Sequence, residues 1–158
     1  MTTGMAQDPS IELRPATEAD REFCYALHEA TMRDYVAAIW GWDDSVQRDF
    51  FDRGWDPAIT QIVTRDGADI GILKLKEQDL ATYITLVEIH PDHQGRGIGG
   101  AVVREVVADA DRRGRPVDLD VLTVNARAQA LYRRLGFAEQ YRHGDGDVKI
   151  RMRRSPGA

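Results

Sequence analysis

The 158-residue chain has a single cysteine, Cys24, and that scarcity removes two classes at once. No internal disulfide can form, and no thiolate pair is available for a structural metal. A reducing cytoplasm is the expected setting, with Cys24 a small core residue on a helix rather than a nucleophile. Long apolar runs are also missing: none approaches the ~18 residues of a membrane span, and Met1 to Ser10 lacks the apolar centre of a signal peptide. The expectation is a protein neither exported nor anchored. Positive charge is in deficit, with 21 Lys and Arg against 26 Asp and Glu, for a formal net charge of -5. Such a chain has no general attraction for phosphate backbones or anionic membranes. The reading is therefore no nucleic acid, no membrane and no metal. The one basic cluster, Arg151, Arg153 and Arg154, reads as a solvated strand end.

What is present suffices for one ordinary core. Hydrophobic residues make up 42% and charged residues 30%, too much apolar material for a disordered chain. The boundaries read as a flexible N-terminus over 1–10, one domain over 11–154 and a flexible tail over 155–158, with no repeat or linker. Ile11 to Arg14 alternates as a strand. Thr17 and Asp20 resemble a helix start before Phe23, Leu27 and Ala30 at helical spacing. A second helix is expected around Asp44 to Phe51.

Gln61 to Arg65 and Asp69 to Glu77 are β-rich runs joined by Asp66-Gly67, the strongest short hairpin signal. Ala81 to His90 is another strand. A Gly-rich loop then leads into a helix carrying Ile98, Val102 and Val106, which Gly114 closes. Val117 to Val124 is a strand, Asn125 caps a short helix through Leu135, and Ala138 to Arg142 with Val148 to Arg153 forms a last hairpin. The order β α α β β β α β α β β specifies an α/β (α+β) chain, a mixed sheet with helices on both faces. The final strands offer exposed edges, so monomer and homodimer are both open.

The loop His90-Pro91-Asp92-His93-Gln94-Gly95-Arg96-Gly97-Ile98-Gly99-Gly100 holds four glycines in six residues between a strand and a helix. Unpaired N–H groups at the helix start point at whatever fills the loop, and glycines permit its close approach. A pyrophosphate suits that position. Two cofactor classes compete. Gly95, Gly97 and Gly100 satisfy G-x-G-x-x-G, with Asp118 and Asp120 about 20 residues later as a dinucleotide fold requires. Against this, His90 to Gln94 intervene after the strand, and no second half of a doubly wound sheet exists.

The alternative rests on two segments together. Gln94-x-x-Gly97-x-Gly99 after Ile89-His90-Pro91 resembles the acetyl-CoA signature of the GNAT superfamily of N-acetyltransferases. Asn125-Ala126-Arg127-Ala128-Gln129-Ala130-Leu131-Tyr132-Arg133-Arg134-Leu135-Gly136-Phe137 resembles its N-x-x-A-x-x-L-Y-x-x-x-G-F element, and the likeness covers roughly Ile11 to Arg153. It implies a largely antiparallel central sheet of about six to seven strands with about four helices. It also implies acetyl-CoA as co-substrate, an amine acceptor and direct attack in a ternary complex. The backbone of Gly95, Arg96, Gly97, Ile98, Gly99 and Gly100 would hold the pyrophosphate, with Gln94 beside it. Glu88, Ile89 and His90 would pair with the pantetheine arm as an added strand, in a slot splayed from Val117 to Val124, and Asn125 would contact the arm.

Attack on a thioester develops an oxyanion, for which the Ile89 N–H is the expected donor. The departing thiolate needs an acid, for which Tyr132 is suited, and the ammonium needs a base. Glu88, the one carboxylate in an otherwise apolar strand, is that base or borders a water relay; His90 and His93 are alternatives. For the acceptor, His28, Glu29, Tyr35, Trp40 and Trp42, with Asp43 and Asp44, place aromatic rings beside carboxylates. That combination suits a cationic small molecule or a peptide amine. A non-catalytic acyl-CoA sensor and a dinucleotide-binding protein are the other readings.

Overall fold

The computed structural model describes the backbone of Thr3–Gly4 and residues 8–158. The expected flexible segment over 1–10 thus lies partly outside the described residues. The chain divides into two compact units, each built from two stretches. The first is Met1–Lys74 with Leu86–Gly99, and the second is Leu75–Thr85 with Gly100–Ala158. Two strands, β4 (Ala68–Glu77) and β5 (Thr82–Ile89), contribute to both.

In the first unit β1 (Thr3–Gly4), β2 (Ile11–Pro15), β3 (Thr60–Arg65) and β4 form an antiparallel meander, followed by the end of β5. Asp66 and Gly67 both take positive φ (49° and 83°), which a tight hairpin turn requires and this dipeptide supplies. The β3–β4 ladder carries one irregularity. Val63 pairs with Gly71 but Thr64 with Asp69, so Ile70 is the extra residue of a β-bulge.

The helix α1 (Arg21–Ile39) follows a 3-10 turn at Glu18–Asp20, where the Asp20 carboxylate accepts from the Thr17 N–H at 2.9 Å. Cys24 and Leu27, one turn apart, share a core with Ile62, Ile72 and Leu86 from the sheet. Burying each large aliphatic chain there contributes about 1.5–3 kcal/mol.

The helix α2 (Asp44–Gly54) runs three residues beyond its sequence boundary and begins where Asp43 caps the Val46 N–H at 3.0 Å. Phe51 stacks on Trp55 with centroids 5.7 Å apart, and the buried Lys74 ammonium sits 5.6 Å from each ring. A cation over two ring faces is favourable there. The same alternation that turns Ile72 inward carries Lys74 with it.

The second unit holds the start of β5, α3 (Ile98–Arg112, from Gly100 onward), β6 (Val117–Leu122), α4 (Ala126–Arg134), β7 (Ala138–His143) and β8 (Lys149–Arg154). The pair β5–β6 is parallel, and β6–β8 and β8–β7 are antiparallel. Strand β8 therefore lies between β6 and β7, which narrows the expected exposed edge to β7 alone. Ser155–Ala158, expected as a loose tail, is held where the Gly157 N–H donates to Asp111 and Arg154 to the Ala158 carbonyl, at 3.1 and 2.6 Å.

The clustered arginines are paired rather than solvated. Arg153 forks onto Asp118 at 2.7 and 2.9 Å. Asp120 accepts from Arg151 (2.8 and 3.2 Å), Tyr83 (2.8 Å) and His143 (2.9 Å). Burial pushes the Asp120 carboxyl up, but these donors outweigh it and hold the group at about 2. A depressed carboxyl stabilises the fold above its unfolded value, ~3.9, and that stabilisation is lost as pH falls through about 2. Thermal unfolding followed from pH 5 to pH 2 should show Asp120→Asn insensitive to roughly 2 kcal/mol of the acid destabilisation seen in the parent. Parallel curves for the two proteins would refute the assignment.

Candidate active site

The first unit places a buried carboxylate at the end of β5. Glu88 alternates onto the face of Leu86, toward α1, and its side chain is 3% exposed. Its Oε2 lies 3.1 Å from His28 Nδ1, and its Oε1 is buried without a hydrogen-bond partner. A buried carboxylate oxygen without a hydrogen-bond partner costs free energy. His28 follows Cys24 by one helical turn, which aims both inward from α1. The Trp42 ring stands 6.3 Å from the imidazole, anchored by its Nε1–H donating to Asp44 at 2.7 Å, and Arg33 covers it at 5.5 Å.

Not every expected acceptor residue joins this group. Tyr35 lies half-buried two turns beyond His28 on nearly the same face of α1. Glu29 pairs with Arg33 at 3.5 Å. Trp40 is 54% exposed at the helix end, off the face that carries His28, so packing against the sheet does not explain it.

After β5 the chain turns sharply. The Ile89 carbonyl accepts from Gln94 Nε2 at 2.8 Å, so Gln94 ties the loop to the strand end. His90 Nδ1 accepts the Asp92 N–H at 3.1 Å, closing a short 3-10 turn at Pro91–His93. That bond uses the very nitrogen a base would need, and the His93 Nδ1 is buried without a partner. Gly95 and Gly97 take φ of 76° and 77°, where other residues are strained, and an added Cβ at Gly97 would meet nothing within 4 Å. Arg96 is exposed between them, while Ile98 is buried and opens α3. The cradle is thus built of backbone and empty space at a helix N-terminus, which fits an anion.

Residues that the sequence did not single out hold this strand end. Gly71 is one: a Cβ built there would fall 2.5 Å from the Glu88 carbonyl oxygen and 2.8 Å from Ile89 Cδ1. The His90 N–H donates to the neighbouring Ile70 carbonyl at 2.8 Å. An isolated glycine inside the apolar run Ile70-Gly71-Ile72 is itself the signal for such close backbone approach.

In the second unit, Asn125 caps α4 through its Oδ1, which accepts the Ala128 N–H at 3.1 Å. Buried Gln129 donates to the Leu122 and Thr123 carbonyls at 3.1 and 2.9 Å, fastening α4 to the end of β6. Tyr132 packs edge-on against Phe137 with centroids 5.8 Å apart, and burial alone pushes its phenol up to about 12. Gly100 sits against Leu131 and Arg104 within α3's packing. The parallel ladder of β5 with β6 ends at Ile84↔Leu119, although β5 itself runs on to Ile89. Asp118 and Asp120, the residues a dinucleotide ribose would need, are committed to Arg153 and to Arg151, Tyr83 and His143.

The chain belongs to the acetyltransferase (GNAT) family, whose model matches residues 23–137. The N-alpha-acetyltransferase RimI of Mycobacterium tuberculosis is 40% identical over 76 residues, 45% of this chain and 47% of that protein. The streptothricin acetyltransferase of Streptomyces lavendulae is 43% identical over 53 residues, 33% of this chain and 28% of its own. The chain spans about half or less of the length of the curated relatives it matches.

Among solved structures, the PaiA N-acetyltransferase of Thermoplasma acidophilum in complex with coenzyme A has a TM-score of 0.74 at 17% identity, covering 92% of this chain and 99% of the other. An acetyltransferase of Thermus thermophilus has a TM-score of 0.71 at 22% identity, covering 92% and 97%. These likenesses establish the fold: mixed α/β, with a mostly antiparallel sheet and, among the described residues, four α-helices, as the sequence resemblance implied.

Proposed function

We propose that the protein is an acetyl-CoA-dependent N-acetyltransferase in which an amine attacks the thioester directly in a ternary complex. The observation that carries this reading is the continuous run from buried Glu88, through Ile89, into a loop whose two positive-φ glycines open α3. The loop N–H groups would take the pyrophosphate. The edge of β5 beyond Ile84 suits an extended, amide-bearing arm. The Ile89 N–H would meet the developing oxyanion, and the base that draws off the ammonium proton would lie at Glu88 and the groups bonded to it. Relatives named for N-acetyl transfer, and a structural neighbour crystallised with coenzyme A, support the donor. His28, Trp42 and Glu88 favour a cationic small molecule or a free peptide amine as acceptor.

Tyr132 would serve the leaving thiolate. With its phenol at about 12 it stays protonated through the neutral range. Full transfer to a thiolate of ordinary thiol basicity, pKa ~8.5, would run uphill, so its contribution is a donated hydrogen bond as the C–S bond breaks.

Calorimetric titration with acetyl-CoA and, separately, NADH tests the class, followed by thiol release across a panel of amines. Micromolar acetyl-CoA binding and amine-dependent thiol release are the expected results. Tyr132→Phe should lower kcat roughly 10²-fold with Kd for acetyl-CoA within about twofold of the parent. Tighter binding of NADH than of acetyl-CoA would overturn the proposal, and unaltered kcat in the Phe variant would remove Tyr132 from it.

A further inference from the structure

Resting on that reading, we infer that His28 Nε2, rather than the Glu88 carboxylate itself, is the atom that takes the proton from the acceptor amine, with Glu88 as its positioning residue. Access separates the two groups. The Glu88 side chain is 3% exposed and the His28 side chain 23%, so of the two bonded partners only the imidazole reaches solvent and an incoming substrate.

The hydrogen bond also fixes the tautomer. A carboxylate can only accept, so the 3.1 Å contact with Oε2 puts the hydrogen on His28 Nδ1 and leaves the lone pair on Nε2. A carboxylate behind an imidazole holds the ring in one orientation and stabilises the imidazolium that proton uptake creates. The electron-rich Trp42 face lies 6.3 Å from the imidazole. A cationic ammonium resting on that face sits beside its proton acceptor. Arg33 lies over the same ring at 5.5 Å, with its side chain 53% exposed and paired with Glu29 at 3.5 Å and Asp44 at 3.9 Å.

The charged and titratable groups around the pair are few. Glu88 comes from β5, Arg33 and Cys24 from α1, and Asp44 from the start of α2, bonded to the Trp42 indole. Lys74 comes from β4, and its charge and that of Glu88 both reach the Cys24 thiol.

The ammonium N–H proton passes to His28 Nε2, and the freed lone pair forms the C–N bond to the acetyl carbon. As the C–S bond breaks, the second nitrogen proton is shed and the thiolate is protonated. The net products are the amide, the free thiol and one proton, which leaves the imidazolium for solvent.

Two measurements test this. With the fastest amine from a panel of a diamine, an arylalkylamine and an alanine-initiated tetrapeptide, His28→Gln keeps a donor toward Glu88 but no base. It should lower kcat about 10²-fold and flatten the acid limb of the kcat profile, leaving Kd for acetyl-CoA unchanged. Independently of any acceptor, long-range 1H–15N spectra of the imidazole should show the Nδ1–H tautomer in the parent and its loss in Glu88→Gln. Retained kcat with an intact acid limb in His28→Gln would overturn the inference, as would an Nε2–H tautomer in the parent. A parent that binds no acetyl-CoA would instead overturn the function on which the inference rests.

Discussion

Gly71→Ala should lower the melting temperature by roughly 2–12 °C and reduce acetyl transfer at least 10²-fold. The reason lies in what a methyl group meets at that position. Its carbon would stand 2.5 Å from the Glu88 carbonyl oxygen, 2.8 Å from Ile89 Cδ1 and 3.4 Å from Ile89 Cα. A flexible side chain can yield to such a contact, but a backbone oxygen in a sheet cannot, so β4 and β5 must separate. Overpacking of this kind costs about 1–3 kcal/mol, and each kcal/mol moves the midpoint of a chain this size by about 2–4 °C. The displaced atoms are those of Glu88 and Ile89, and a shift of ~1 Å at reacting groups is enough for a hundredfold loss. Differential scanning calorimetry and the thiol-release rate check the two effects. A parent-like midpoint with parent-like turnover would show that the bulge at Ile70 absorbs the methyl group.

Gly97→Val should behave in the opposite way, leaving the fold intact while weakening acetyl-CoA binding by at least about 10³-fold. No atom lies within 4 Å of the added Cβ, so nothing in the protein is displaced. The cost arises from the backbone: at φ of 77° a β-branched residue is strained by about 1–3 kcal/mol and would relax toward negative φ. Relaxation turns the loop N–H groups away from the anion, and the isopropyl group fills the space a phosphate needs. Both losses fall on the ligand. Calorimetric Kd beside a thermal melt separates the cases. Unaltered affinity in a well-folded variant would place the pyrophosphate elsewhere.

These two glycines also mark what a sequence reader can and cannot see. Gly97 lies in a run dense enough in glycine to announce a ligand loop, and the hairpin at Asp66-Gly67 was equally plain because its conformation is set by two adjacent residues. The helix start at Asn125 was legible for the same local reason, whereas the cap at Asp43 was not singled out. Gly71 carried a fainter signal, one glycine in an apolar strand, whose meaning depends on a second strand's approach.

The His28 to Glu88 bond joins residues 60 apart, and no local pattern encodes it. Equally hidden was the insertion of β8 between β6 and β7, since a hairpin motif specifies its own two strands but not which of them meets the rest of the sheet. Asp118 and Asp120 fit a ribose-binding spacing in the sequence. The register of β6 against β8, which sets Arg153 and Arg151 directly opposite them, gives them other partners.

Cys24 has a practical consequence for every assay that counts thiols. It is fully buried, and burial pushes its thiol up to about 12, so almost none of it is thiolate near neutral pH. As the chain has no second cysteine, disulfide-exchange reagents added to the folded protein should register released coenzyme thiol alone, without a background from the enzyme. The same residue becomes a built-in reporter once the fold opens, because alkylation of Cys24 by a maleimide then clocks the exposure of the core shared by α1 and the sheet.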